Sequence, residues 1–473
     1  MMTTRRILVS TAAAFASLAL FAGTATAAPA PGSDGLGDPY YPQDGNGGYD
    51  VSHYDISFSY DPPSKKLEAT TRITARAEQD LSAFNLDLSG LTVDGITVDG
   101  KDAKWSRSGE HELTVTPETP LSQQHPFTVE VRYGGTPKPI KDPALGENGW
   151  QYGDNGAAFA AGEPHGAATW FPVNDSPLDK ATYSVSGTLP KPWTMIANGR
   201  ETGTSPGPGK DKQTFKWAEP VPMASYLATV GIDKWTMEKD KLADGTPVVS
   251  SYAPGTPEAT KQAEHKLPEV LDFLSSKFGK YPMDAAGGIF VGTGIGFSLE
   301  TQTRPVYSKD MGDLDTIIHE NAHQWWGDSV SVHHWKDVCL NECFASYAPW
   351  LWDEAKDGAD LNKRYDQKLA EHNGDKAFWA QKLYDPGKGK EFTGVYDKGP
   401  LALHALRHAI GDDAFFRILE EWPAAHRDKN ASWAEFEKYV QQVSGKDLRG
   451  FFDAWFHGAT VPGKEYLHPG GGN

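Results

Sequence analysis

Cysteine is nearly missing from this chain, which has two in 473 residues, Cys339 and Cys343. A fold framed by disulfides is thereby excluded, and packing must hold the interior together. Positive charge is also in deficit: 45 Lys and Arg stand against 63 Asp and Glu, a formal net charge of −18. A surface of that sign argues against nucleic acid or an anionic membrane as the main partner. Beyond the N-terminus no apolar run is long enough to cross a membrane, and no internal repeat is present. What is there is an ordinary globular composition, 38% hydrophobic and 11% aromatic, at a length that suits two or three domains.

The first residues read as an export signal. Arg5 and Arg6 precede a mainly apolar stretch from Ile7 to Ala22, and Ala25-Thr26-Ala27 fits the small-residue cleavage rule. Residues 1–27 are therefore expected to be a signal peptide cut at Ala27–Ala28, since the unbroken apolar run is shorter than the ~20 residues a span needs. The mature protein is expected to be secreted or otherwise extracytoplasmic, with no membrane span.

Residues 28–48 are rich in Pro and Gly and read as a flexible leader. From 49 to 233 the pattern is strand and turn: "FTVEVRYGG" alternates apolar with polar, and Asp-Gly pairs at 94–95 and 99–100 mark turns. This predicts an N-terminal antiparallel β domain, a sandwich or saddle. From about Lys234 to 473 the chain reads as mainly helical. Thr256 and Pro257 would open its first helix, Gly279 would end that stretch, and Ser432 with Glu435 form a capping box further on.

Chemistry concentrates in "HENAHQWWGD", residues 319–328. A helix turns 100° per residue, so His319 and His323 share one face, where two imidazoles can take one metal ion. Roughly 0.03 such pentapeptides are expected by chance at this length and composition, so the remainder of a site is needed to support the reading. "DLDTIIHENAHQWWGDSV" has the apolar content of a buried helix. Catalytic zinc takes three protein ligands and leaves a place for water. Glu342, reached by His323-x18-Glu342 in a second helical pattern, supplies the third. The rival pattern with Gly and His three and six places after the second His fails, because Trp326 and Ser329 stand there.

"HENAHQWWGD" followed by "LNECFASY" resembles the gluzincin peptidases of the aminopeptidase N family, which includes the leukotriene-hydrolase aminopeptidases. "VYDKGPLALHALR" (395–407) matches that family's Tyr-x-Lys-Gly motif, and "SLETQTRP" (298–305) stands in place of its Gly-x-Met-Glu-Asn motif. The resemblance covers nearly all of the mature chain. It implies a β domain followed by a thermolysin-like catalytic domain, and one Zn2+ per chain held by His319, His323 and Glu342. Glu320 would be the general base and Tyr396 the donor to the oxyanion. Glu300, with Glu163 from "AAGEPHGAATWFP", would bind the substrate's α-ammonium. Peptides are the implied substrates, and the family's further C-terminal domains are expected to be absent.

Phe297 and Thr301 depart from the family motif, and they keep open an endopeptidase using the same zinc site. A non-catalytic binding protein that retains the fold is the other rival, against which Glu320 and Tyr396 weigh. His333 and His334 read as exposed polar residues on a turn. "GTGIGF" lacks the final Gly and following helix of a dinucleotide loop, and "GTSPG" lacks the helix of a serine elbow. Whether Cys339 and Cys343 bridge is open. A regular helix places their Cβ atoms ~5–6 Å apart, whereas a disulfide needs ~3.5–4.5 Å.

Overall fold

The computed structural model describes residues 28–142, 145–309 and 311–470, so the proposed signal peptide lies outside the described residues. Within the β domain, successive strands are β1 (Tyr49–Asp61), β2 (Lys66–Ala77), β3 (Leu81–Asp87), β4 (Thr92–Val98), β5 (Glu112–Thr116) and β6 (Pro126–Gly135). They continue as β7 (Gly146–Tyr152), β8 (Ala158–Ala161), β9 (Ala181–Pro190), β10 (Arg200–Pro206), β11 (Lys212–Met223) and β12 (Val230–Asp233).

The largest sheet runs β10-β11-β9-β1-β2-β6-β4 and ends on residues 101–102. Only the β9–β1 pair within it is parallel. Period-two alternation explains it: β1 buries Tyr54, Ile56, Phe58 and Tyr60, and β6 buries Phe127, Val129, Val131 and Tyr133. A smaller sheet of residues 30–31, β3, β5 and 104–108 packs against it, joined by Tyr49, Phe84 and Phe127, whose ring centroids lie 5.3–6.4 Å apart. A third sheet carries β7, β8 and β12 and points the turn after β8 toward the helical half.

The segment expected as a flexible leader is instead packed in its second half. Tyr40 and Tyr41 are buried, and their hydroxyls donate to Asp385 and Glu391 of the helical half at 2.6 and 3.0 Å. Asn46 is fully buried and its N–H meets Asn174 Oδ1 at 2.6 Å. The Pro and Gly content of this stretch hid two aromatic anchors.

The helical half also opens differently from expectation. Residues 236–241 and 247–252 form a hairpin, extended by Ile289–Phe290 and Val306–Tyr307 into a mixed four-stranded sheet. The buried Val248, Val249 and Tyr252 of "PVVSSY" anchor this sheet, and helix begins only at α1 (Glu258–Glu264) and α2 (Leu267–Phe278). Thr256 does not cap α1; its hydroxyl donates back to Ala253, and Pro257 takes the cap position.

Then come α3 (Leu314–Ala322), α4 (Cys339–Asp357), α5 (Leu361–Glu371), α6 (Lys398–Ile410), α7 (Asp412–Ala425) and α8 (Trp433–Ser444). The expected capping box of Ser432 and Glu435 is formed at α8. Cys339 and Cys343 are bridged, with Cα atoms 4.8 Å apart, so the first turn of α4 takes up the distortion that bridging requires. Gly399 lets α6 dock there, because a Cβ would lie 2.8 Å from Cys343 Sγ.

Candidate active site

Asp313 starts α3 by accepting from the Thr316 N–H at 2.8 Å, and the helix then carries His319 and His323 round to one side. It ends sooner than the sequence suggested, at Ala322 with His323 as its cap. The two tryptophans that follow need different pockets. Trp325 packs on Phe278 and Tyr281, and Trp326 stacks on Phe344 of α4 at 3.8 Å. Gly327 makes the turn at φ 135°, and a Cβ there would come within 3.3 Å of His323 Nδ1.

The Trp326–Phe344 stack fixes α3 against α4 and brings Glu342 to the imidazoles. His319 Nε2 and His323 Nε2 are 3.1 Å apart, and Glu342 Oε2 lies 3.3 and 3.4 Å from them. Three donors at 2.0–2.2 Å from a tetrahedral zinc would stand about 3.3–3.6 Å apart, so these residues fit that ion. Supporting contacts agree. His323 Nδ1 lies 2.9 Å from the Trp326 carbonyl, which assigns the ring proton to Nδ1 and frees Nε2 as the ligand. Glu342 Oε2 is buried without a hydrogen-bond donor among the described residues. Burial works against ionising Glu342, but the two imidazoles, when protonated, outweigh it and hold the carboxyl well below its ordinary range.

Glu320 is buried beside this triad, and its carboxyl is pushed well above the ordinary range, chiefly by burial. His323 opposes that shift, while Glu300 and Glu342 add to it. A carboxylate of raised basicity suits proton abstraction near neutral pH. Tyr396 sits just before α6 and is 43% exposed, and its hydroxyl donates to Glu342 Oε1 at 3.2 Å. Its backbone is placed by the Lys398 and Gly399 N–H groups, both bonded to the Gly394 carbonyl. The buried Lys398 ammonium caps the Gln381 carbonyl at 2.6 Å.

Glu300 and Glu163 come from different halves of the chain and meet in the same cleft, of about 520 Å³. They are 2% and 3% exposed, so neither is a surface glutamate. Glu163 follows β8 and precedes a cis proline, and its Oε1 has no hydrogen-bond partner among the described residues. Glu300 Oε1 accepts a long bond from the Tyr226 hydroxyl, 3.4 Å. Burial raises both carboxyls first. Glu300, Glu342 and Glu320 then raise Glu163 further, while His323 partly offsets the rise at Glu300. Such a pocket is short of positive charge, and a dication and an ammonium would both supply it.

Residues that the sequence reading missed hold Glu300 in place. Gln324 Nε2 donates to the Glu300 carbonyl at 3.2 Å and Gln324 Oε1 accepts from Thr303 N at 2.8 Å. Asn198 bonds the Gln302 carbonyl at 2.7 Å, and the fully buried Arg304 bonds the Gly199 carbonyl at 2.7 Å. Gln324 adjoins the metal motif and could have been suspected; Asn198 and Tyr226 carry no signal in their own neighbourhoods. Phe297 lines the cleft, whereas Thr301 is buried within the loop and donates to the Arg304 carbonyl. His333 is exposed, His334 is partly buried, and neither lines the cleft.

Residues 262–455 match the family profile described as the peptidase family M1 domain, and residues 51–227 match the peptidase M1 N-terminal domain. The chain is 27% identical over 334 residues to aminopeptidase A of Gloydius brevicauda, covering 64% of this chain and 35% of the relative. It is 25% identical over 334 residues to glutamyl aminopeptidase of Mus musculus, with the same coverage of 64% and 35%. This chain thus spans about a third of the length of these curated relatives. A solved M1 zinc metallopeptidase from Deinococcus radiodurans aligns with a TM-score of 0.85 at 28% identity, covering 93% of this chain and 100% of that one. A mutant of it bound to a Tyr-Ser-Ala substrate gives 0.84 at 27% identity, covering 91% and 99%.

Proposed function

The chain belongs to peptidase family M1, and from that membership we propose that it is an exported zinc aminopeptidase releasing the N-terminal residue of peptides. One observation carries the reading: Glu163 and Glu300, both buried, share a cleft with Glu320 and the His319, His323 and Glu342 donors. His319, His323 and Glu342 would hold the zinc, which when bound supplies a Lewis acid for the scissile carbonyl and acidifies water.

The protein's own groups account for the other steps. Glu163 and Glu300 take the α-ammonium, so the first peptide bond falls beside Glu320 and a blocked N-terminus has no partner. Glu320 removes a proton as water adds to the carbonyl carbon, and returns it to the amine as the C–N bond breaks. Tyr396 can turn its hydroxyl from Glu342 to the oxyanion that forms on the carbonyl oxygen. Export is supported by Arg5-Arg6, the apolar run and Ala25-Thr26-Ala27. Among the described residues no helix is long and apolar enough to cross a membrane.

Phe297 in the cleft wall favours a second reading, an endopeptidase with the same zinc chemistry. One comparison separates the two: a peptide with a free N-terminus and its N-acetylated twin, each with and without a chelator. Chelator-sensitive release of the first residue from the free peptide alone is expected. Internal cleavage of both would establish the endopeptidase, and zinc binding with no turnover of either would favour a binding protein.

A further inference from the structure

A second group of potential ligands lies in the β domain, away from the peptidase cleft. Asp87 ends β3, Glu112 begins β5, and the two stand directly opposite each other in the antiparallel ladder. Like charges in that register are destabilising unless something is shared between them. Asp87 is 1% exposed and Glu112 is 8% exposed. Asp87 Oδ2 accepts from the Asp175 N–H at 2.8 Å, but Asp87 Oδ1 and both Glu112 carboxylate oxygens have no hydrogen-bond partner among the described residues.

His111, next to Glu112, turns its imidazole into the same space. Its Nε2 is 3.7 Å from Asp87 Oδ1, too long for a hydrogen bond, and donates to the Gln43 carbonyl oxygen at 3.2 Å, a proton that must leave if this nitrogen takes a cation. One ligand atom each from Asp87, His111 and Glu112 lie within 4.8 Å of one another. Donors around a cation at 2.0–2.6 Å stand about 3–5 Å apart, so small side-chain shifts would close this set. Asp44 and Asp175 add negative charge from beside Asp87. Access is open, because Asp87 and His111 line a cavity of about 610 Å³ that shares no residue with the peptidase cleft.

We propose that Asp87, His111 and Glu112 form a second divalent-cation site, with the Gln43 carbonyl available as a fourth ligand. Two carboxylates with one imidazole suit Zn2+ or Mn2+ better than Mg2+. The ion would relieve the opposed carboxylates and tie the packed segment around Tyr40 and Tyr41 to the β3–β5 edge.

The test is metal counting on the full chain, loaded with Zn2+, desalted and measured by elemental analysis. Two zinc per chain are expected for the wild type and one for Glu112→Gln and for His111→Gln. Both variants should keep peptidase activity, which shows that they are folded and still hold the catalytic metal. His323→Ala should keep one zinc and a metal-dependent rise in Tm, and Glu112→Gln added to it should abolish both. One zinc in the wild type, unchanged by Glu112→Gln, would overturn the site and leave a carboxyl pair that shares a proton. A wild-type count of two that Glu112→Gln and His111→Gln leave at two would place the second ion elsewhere and also overturn it. Neither result would bear on the peptidase reading, which rests on the other cleft.

Discussion

Replacing Glu300 by Gln isolates the charge that the proposed specificity depends on. The amide is nearly isosteric, so the long bond from Tyr226 and the loop contacts through Gln324 and Arg304 can persist. What disappears is one of two buried negative charges facing the ammonium. Removing one member of a buried charge pair costs about 2–5 kcal/mol. Glu163 remains and carries part of the interaction, which places the loss near the lower end, about 2–3 kcal/mol. At 1.36 kcal/mol per decade that is roughly a 30- to 150-fold fall in kcat/KM. The ammonium is bound in ground state and transition state alike, so the fall should lie mostly in KM. The control is the des-amino analogue of the same peptide, which has no ammonium to lose. Its slow cleavage should change little, and the ratio between the two substrates should collapse. An equal fall on both substrates would refute the argument and make Glu300 a structural residue.

Tyr396→Phe should lower kcat by about 10²–10³ with KM and zinc content nearly unchanged, read from steady-state kinetics and elemental analysis. Glu320→Gln should lower kcat by about 10²–10⁴ while still binding one catalytic zinc, since the donors that converge within 3.4 Å of one another are His319, His323 and Glu342. Gly399→Ala should lower Tm, because its Cβ must displace Cys343 where α6 meets α4; overpacking of this kind costs about 1–3 kcal/mol by denaturant titration. Burial pushes Asp179, Glu219 and Glu264 up to about 8. Between the ordinary carboxyl range near ~4 and that value, the native protein holds protons that the unfolded chain has lost. Stability from these groups is therefore full at low pH and lost as pH rises through the window. Tm should fall from pH 5 to 8, with a shallower slope in Glu264→Gln.

The parts of this site that were legible in the sequence are those whose partners lie one helical turn or one short connection apart. His319 and His323 follow from helical periodicity, and Glu342 from a second helix a short step along the chain. The capping box at Ser432 was legible for the same reason. The errors also have local causes. Proline and glycine dominate residues 28–48, so Tyr40 and Tyr41 read as leader although their hydroxyls bind residues some 345 positions away. Trp325 and Trp326 carry the apolar pattern of the metal helix past its end at Ala322 while packing in different directions. The 236–252 hairpin was missed because a four-stranded sheet with two very short members leaves little periodicity to find.

Glu300 is buried in the cleft although the motif around it is weakened. Phe297 and Thr301 occupy positions where the family pattern has other residues, and a motif read as a string would demote the glutamate between them. In the fold, those two positions do not hold it. Thr301 closes the loop on itself, and Phe297 only faces the cleft. The carboxylate is positioned instead by Gln324 from beyond the metal helix, by Asn198 bonding the Gln302 carbonyl, and by Arg304 threaded into the β domain. These anchors come from three separate stretches of chain, and all are buried. The loop's position is therefore set by its buried contacts to the protein and not by the side chains at 297 and 301. It follows that Gln324→Ala, which leaves every motif residue intact, should weaken discrimination between the free peptide and its des-amino analogue in the same direction as Glu300→Gln. Unchanged discrimination in that variant would show that the loop holds Glu300 without it.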